Sequence, residues 1–148
     1  MRFDLMESAA TETRDGVLAI LRQYNRASNS AFFARRDAPE HAPRPLHVII
    51  YDDQGAIAGG LIGESQFSWL KVQLVAVRED LRRQGAGSRL MHLAEEEGLR
   101  RGCRYVCLDT MSYQAPAFYQ KLGYRTAGEL PDWDSHGHTQ YFFIKTLE

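Results

Sequence analysis

Cysteine is scarce. Cys103 and Cys107 are the only two in 148 residues, too few for the disulfide framework of a small secreted domain. No second pair of ligands stands at metal-site spacing from them, so both are expected as reduced thiols in or beside a buried strand. Long apolar runs are also missing. Nothing approaches the ~20 apolar residues of a membrane span. The opening Met1-Arg2-Phe3-Asp4-Leu5 carries an early acid and no signal-peptide core. A cytoplasmic protein with no membrane partner is the expectation. Neither sign of charge dominates: 18 basic side chains face 19 acidic ones, a net charge of −1. That balance argues against a nucleic-acid partner, which is normally gripped through a basic face. Local basic clusters remain available for phosphates.

What is present is an ordinary globular mixture, 44% hydrophobic and 25% charged, at the length of one domain. A chain of this size buries roughly two-thirds of its unfolded surface and needs no covalent staples. We expect a single domain over 1–148, without internal repeat or low-complexity tract.

The hydrophobic pattern predicts the elements. Residues 1–7 read as a short strand. Residues 13–28 read as a helix, with Val17, Leu18, Ile20, Leu21 and Tyr24 on one broad face and Thr13 or Asp15 as cap. Asn29 to Phe33 break that pattern, and a proline-marked loop follows through Pro39, Pro43 and Pro45. Strands are expected over 46–51, 56–63 and 69–77, the first two joined by the turn Asp52-Asp53-Gln54-Gly55. Gly59, Gly60 and Gly63 weaken the second strand and admit a close backbone or ligand. A helix over about 87–101 places Leu90, Met91, Ala94 and Gly98 inward, and Gly102 suits its C-terminal cap. A buried strand at 105–108, a short helix at 116–122 and two last strands at 124–130 and 139–146 complete an α/β (α+β mixed sheet) fold.

The most informative segment joins the strand ending at Val77 to the next helix. A helix N-terminus offers unpaired amides and the positive end of its dipole. Glycines let those amides approach an anion, and Arg82 and Arg83 add positive charge. The run is not a Rossmann fingerprint, since Leu90 stands where a third glycine belongs, and no Gly-Lys-Ser/Thr of a P-loop follows. On spacing alone it reads either as a pyrophosphate site or as a basic surface turn.

Two motifs carry a more specific resemblance. Leu74-Val75-Ala76-Val77 followed by Arg82-Arg83-Gln84-Gly85-Ala86-Gly87 resembles motif A of the GNAT N-acetyltransferase superfamily, Gln/Arg-x-x-Gly-x-Gly/Ala. Ala115, Phe118, Tyr119, Lys121, Leu122, Gly123 and Tyr124 resemble its second signature, N-x-x-A-x-x-[FL]-Y-x-K-x-G-[FY]. The resemblance spans about 74–124. It implies a GNAT-like single domain that uses acetyl-CoA as co-substrate and needs no metal. It also implies direct transfer of the acetyl group to a primary amine of a small molecule or peptide.

By the same resemblance Val75 and Val77 match main-chain contacts to the acetyl–pantetheine arm. Arg82 opens motif A. Arg83, Gly85, Gly87 and Ser88 match pyrophosphate contacts. Ser112 occupies the signature's asparagine position, where a serine offers a shorter contact to the cofactor arm. Tyr119 is the expected general acid for the leaving thiolate. Lys71 stands where several relatives carry a catalytic glutamate and has the wrong charge for a base. Gln73 is no base either. Glu64, Asp109, His136 and His138 are the candidates, and His138 is preferred because it adjoins the predicted last strand. The segment 132–138 holds two histidines and two acids, but it lacks a spaced partner motif for a metal. It reads as a polar hairpin tip, or as acids facing a cationic amine.

Three other functions stay open. They are acetylation of a protein lysine or N-terminus, acetylation of charged transfer RNA, and a non-catalytic acyl-CoA-binding module. A homodimer is left open.

Overall fold

In the computed structural model, which describes residues 1–148, the chain divides into two units, Met1–Ala42 and Pro43–Glu148. No helix is long and apolar enough to cross a membrane.

The first unit begins with ten residues that form no regular element, so the strand expected over 1–7 is absent. No ladder pairs with it, and Met1, Phe3 and Leu5 are exposed; a lone strand has nothing to hold it in water. Helix α1, Thr11–Ser28, starts with Ala10 at the N-cap and no side-chain capping bond. Thr13 and Asp15 therefore lie inside the helix rather than at its cap. A second helix, α2 (Ser30–Asp37), occupies part of the expected loop. Asn29 caps it by accepting the Phe32 amide at 3.2 Å. Phe33 lies beneath the Arg26 and Arg36 guanidinium groups, 5.4 and 4.4 Å from its ring centroid. Arg26 also pairs with Asp37 at 2.8 Å, tying α1 to α2. Eight residues are too few to display a helical repeat, which is why the pattern alone missed α2. A single 3₁₀ turn, Pro39–His41, follows.

The second unit is a six-stranded mixed sheet. Its strands are β1 (Arg44–Tyr51), β2 (Ile57–Gln66), β3 (Trp69–Val77), β4 (Tyr105–Met111), β5 (Arg125–Leu130) and β6 (Gln140–Thr146), in the order β1-β2-β3-β4-β6-β5. Helices α3 (Ala86–Arg100) and α4 (Pro116–Lys121) bring side chains to its core. The expected Leu90, Met91, Ala94 and Gly98 are buried along α3. They meet Leu70 and Val72 of β3, Val106 and Leu108 of β4, and Phe143 of β6. Cys103 and Cys107 are free thiols, the first buried and the second half-buried.

All neighbouring strands are antiparallel except β3 and β4. That parallel pair lasts only from Trp69↔Tyr105 to Lys71↔Cys107. Beyond it β3 stays with β2 as far as Val77, and β4 stays with β6 as far as Met111. The two strands therefore part in the middle of the sheet. A bulge accompanies the split: Ile62 faces Leu74 and Gly63 faces Val72, which leaves Gln73 extra. The inward positions change parity there, from Leu70 and Val72 before the bulge to Val75 and Val77 after it. A Cβ on Gly63 would lie 2.6 Å from the Lys71 carbonyl oxygen, so only glycine fits against the bulged strand.

Candidate active site

The chain leaves β3 at Val77, makes a 3₁₀ turn at Glu79–Leu81 and enters α3 at Ala86. Arg83 and Gly85 take left-handed backbone angles, φ 61° and 82°. Glycine makes that conformation cheap at the N-cap, and Gly85 brings no side chain to cap the helix. The first amides of α3 are consequently left for an outside acceptor. The loop is clamped from behind. Arg82 Nε donates to the Val77 carbonyl at 3.0 Å, and the Gln84 amide donates to the Asp80 carbonyl at 2.7 Å. Arg78 joins the loop to the β1–β2 turn through ion pairs with Asp80 (2.7 Å) and Asp52 (2.8 Å). These contacts hold the carboxyl groups of Asp52 and Asp80 below the usual range, through hydrogen bonds from Arg78 above all. Arg82 is thus partly a brace for the loop, while Arg83 is exposed beside it.

A cleft of about 550 Å³ opens where β3 leaves β4. Val75, Ala76 and Val77 form one wall. Arg82, Arg83, Gly85, Gly87 and Ser88 line one end. Ala115, Phe118, Tyr119 and Lys121 form the opposite wall. A Cβ on Gly87 would come 3.3 Å from the Phe118 ring, so the glycine keeps the channel between α3 and α4 open. Another cavity, of about 570 Å³, lies between the second half of α3 and β6, beside Glu95, Arg125 and Lys145. It has neither a strand opening nor a glycine loop, so the cleft is the candidate site. The cleft's amides, its two arginines and its unpaired strand edge fit a long ligand with a pyrophosphate and an amide-bearing arm, which is the constitution of acetyl-CoA.

Tyr119 is buried at the back of this wall, with its ring edge-on to Phe118 (5.0 Å) and Tyr124 (5.9 Å). Burial, and then the Asp109 charge, push its phenol up. Its hydroxyl makes no hydrogen bond within the protein, and no buried side-chain polar atom lacks a partner. The hydroxyl is therefore open to the cleft, as a proton donor must be.

Two predicted site residues lie outside the cleft wall. The Ser112 hydroxyl accepts the Thr139 amide at 3.1 Å, and the Ser112 amide donates to the Thr139 carbonyl at 2.8 Å. It fastens the end of β4 to the start of β6. His138 stands beside that junction. Its Nδ1 meets the Asp134 carboxylate at 2.5 Å, and its ring is edge-on to Tyr113 at 4.9 Å. Asp134 also accepts the amides of His136 and His138. Partial desolvation opposes ionisation of Asp134, but the His138 ring and these amides outweigh it and hold the carboxyl low. His136 turns its Nδ1 toward the Asp134 carbonyl. Glu64 and Lys71 are paired neighbours on β2 and β3. Asp109 is exposed on β4 and accepts a hydrogen bond from Gln140 Nε2 at 2.9 Å. Sequence reasoning missed the orienting role of Asp134, whose signal was the four-residue spacing to His138. It also missed Ala76 as a wall residue, because the bulge decides which side chains of β3 meet the cleft.

Comparison with known proteins places this geometry. Residues 9–124 match the model of the acetyltransferase (GNAT) family. Blasticidin-S acetyltransferase of Streptomyces morookaense is 37% identical over 131 residues, 86% of this chain and 96% of that protein. The crystal structure of an acetyltransferase from Bacillus cereus superposes with a TM-score of 0.75 at 31% identity, covering 97% and 98% of the two chains. An aminoglycoside 6'-N-acetyltransferase complexed with coenzyme A shares the fold, with a TM-score of 0.62 at 20% identity over 84% and 87%.

Proposed function

Because the chain belongs to the acetyltransferase (GNAT) family of acetyl-CoA-dependent N-acetyltransferases, we propose that it moves the acetyl group of acetyl-CoA directly onto the primary amine of a small molecule. The observation that supports this reading best is the single cleft that gathers Val75, Val77, Arg82, Arg83, Gly85, Gly87, Ser88 and Tyr119. We read the whole chain as one acetyltransferase domain, working in the cytoplasm where its co-substrate is made. A small-molecule acceptor is preferred over a protein because the 37% identical relative bears the name of a small-molecule acetyltransferase.

Acetyl-CoA supplies an activated thioester, and the chain supplies its placement. Amides at the start of α3 and the Arg83 side chain hold the pyrophosphate. Unpaired amides on the open edge of β3 bind the arm and polarise the thioester carbonyl. His138, with Nδ1–H held by Asp134, keeps Nε2 as the acceptor for the amine's proton. Tyr119 gives its proton to the departing sulfur. Ser112 acts through the β4–β6 junction, by holding the segment that carries His138.

The test is a screen of primary amines with acetyl-CoA, read as release of free thiol and as acetylated product. Transfer to at least one amine is expected. Acetyl-CoA binding without transfer or hydrolysis anywhere in the panel would instead mark a non-catalytic binding module.

A further inference from the structure

An acid without an ion pair stands at the β3–β4 split. Along β4, Val106, Leu108 and Thr110 are buried, so Cys107, Asp109 and Met111 face the other side of the sheet. Lys71↔Cys107 is the last pair before the strands part. Asp109 is therefore the first residue on that face beyond the split, beside the bulge that carries Gln73. Its carboxylate is exposed, yet it is held in place. Gln140 stands opposite Met111 on β6 and donates to Asp109 Oδ2 at 2.9 Å.

Most other hydrogen-bonded acids of the sheet unit are answered by cations, whereas Asp132, in the loop after β5, accepts the Gly137 amide. Arg78 answers Asp52 and Asp80, Lys145 answers Glu95, and Arg100 and Arg101 answer Glu97. Asp109 is held by a neutral amide alone. Lys71 lies on the same face, next to Cys107, and forms no ion pair with Asp109. After burial, the Asp109 charge also raises the Tyr119 phenol, so the carboxylate on β4 and the phenol on α4 are electrostatic neighbours. A negative charge fixed at the mouth of a split sheet suits a cation that enters from the face opposite α3.

We propose that Asp109, oriented by Gln140, binds the ammonium group of the acceptor amine and selects charged amines over neutral nucleophiles. This rests on the acetyl-transfer reading for the nature of the acceptor, and it adds the residue that recognises it. Asp109 brings the ammonium to the split. The proton then leaves toward His138, and the neutral amine attacks. Gln140 is a positioning residue, since it acts through Asp109.

Putrescine serves as the cationic probe and acetohydrazide as the neutral one. Binding is read first, by NMR titration of putrescine into the acetyl-CoA-loaded protein. The Gln140 side-chain amide signals should shift. Affinity should fall at least about tenfold in Asp109→Asn and should weaken with added salt in wild type. Kinetics with both probes follow. Asp109→Asn should raise the putrescine KM at least about tenfold while acetyl-CoA affinity stays within about threefold. Transfer to acetohydrazide should fall far less than transfer to putrescine, because burial is the larger cause that keeps the Tyr119 phenol protonated, and Asp109→Glu should recover part of the putrescine affinity. A merely structural role would depress both probes alike, and that result overturns the inference. So does a wild-type protein that ignores putrescine, or one whose putrescine affinity survives Asp109→Asn. Asp109-dependent binding without any acetyl transfer would support the cation site and overturn the transferase reading alone.

Discussion

A phenol donates a proton at neutral pH only while it keeps one, and Tyr119 is placed where burial and the Asp109 carboxylate both favour the protonated form. In the mechanism we propose, its work falls on a sulfur that gains charge only as the reaction proceeds. Tyr119→Phe should therefore lower kcat roughly 10²-fold or more while acetyl-CoA affinity changes little. Stopped-flow turnover beside calorimetric binding checks it, and unchanged turnover removes Tyr119 from the mechanism. His138 owes its orientation to Asp134. His138→Ala should lower kcat/KM at neutral pH at least about tenfold, read by thiol release. A variant with wild-type activity would assign the proton to water.

At the scale of elements, the loop and α3 act as one device. Left-handed Arg83 and Gly85 turn the chain so that α3 begins uncapped at the cleft, and Arg78 locks the turn from behind. Gly87 then keeps a space open between the helix start and the Phe118 ring. Gly87→Asp adds a carboxylate where we propose the pyrophosphate binds, and its Cβ needs the Phe118 ring to give only a few tenths of an ångström. Acetyl-CoA affinity should fall at least about 100-fold, which is about 2.7 kcal/mol, with the thermal midpoint nearly unchanged. Calorimetry and a melting curve decide it. The pattern of residues foretold this device, because glycine, arginine and helix start are neighbours in the chain. It did not foretell the bulge at Gln73, since a bulge is a relation between two strands and changes no local periodicity until burial is known.

Across the whole sheet unit, a polar group is built into the core. Glu95 of α3 is buried, accepts the Tyr124 hydroxyl at 2.8 Å and pairs with Lys145 of β6 at 2.7 Å. The three side chains tie helix to sheet behind Tyr119, whose ring lies against Tyr124. Tyr124→Phe leaves a buried carboxylate one donor short and should cost about 1–3 kcal/mol of stability. The phenol also links stability to pH. Burial first, then the Glu95 charge, raise its folded pKa far above the unfolded value of about 10. Between those two values the unfolded chain binds fewer protons, so stability is complete below about pH 10 and declines as pH rises further. Tyr124→Phe should show a shallower alkaline decline in its denaturation midpoint. A decline as steep as wild type would assign the effect to other groups.

Local chemistry determined what neighbours in the chain can settle by themselves. The strand 69–77, the inward face of α3, the glycine-arginine loop before it and the short helix bearing Tyr119 were all legible, because hydrophobic period and turn chemistry act over a few residues. Contacts between distant segments decided the rest. The strand expected at 1–7 had no partner and did not form, while α2 formed under Asn29 capping and guanidinium packing on Phe33. Ser112, read as a cofactor contact, was drawn to Thr139 across 27 residues of chain. Asp109 became a candidate for the acceptor only when β3 and β4 were seen to part beside it. A side chain's chemistry is written in the chain, but its neighbours, and so its charge and its task, are set by which strands pair and where they stop pairing.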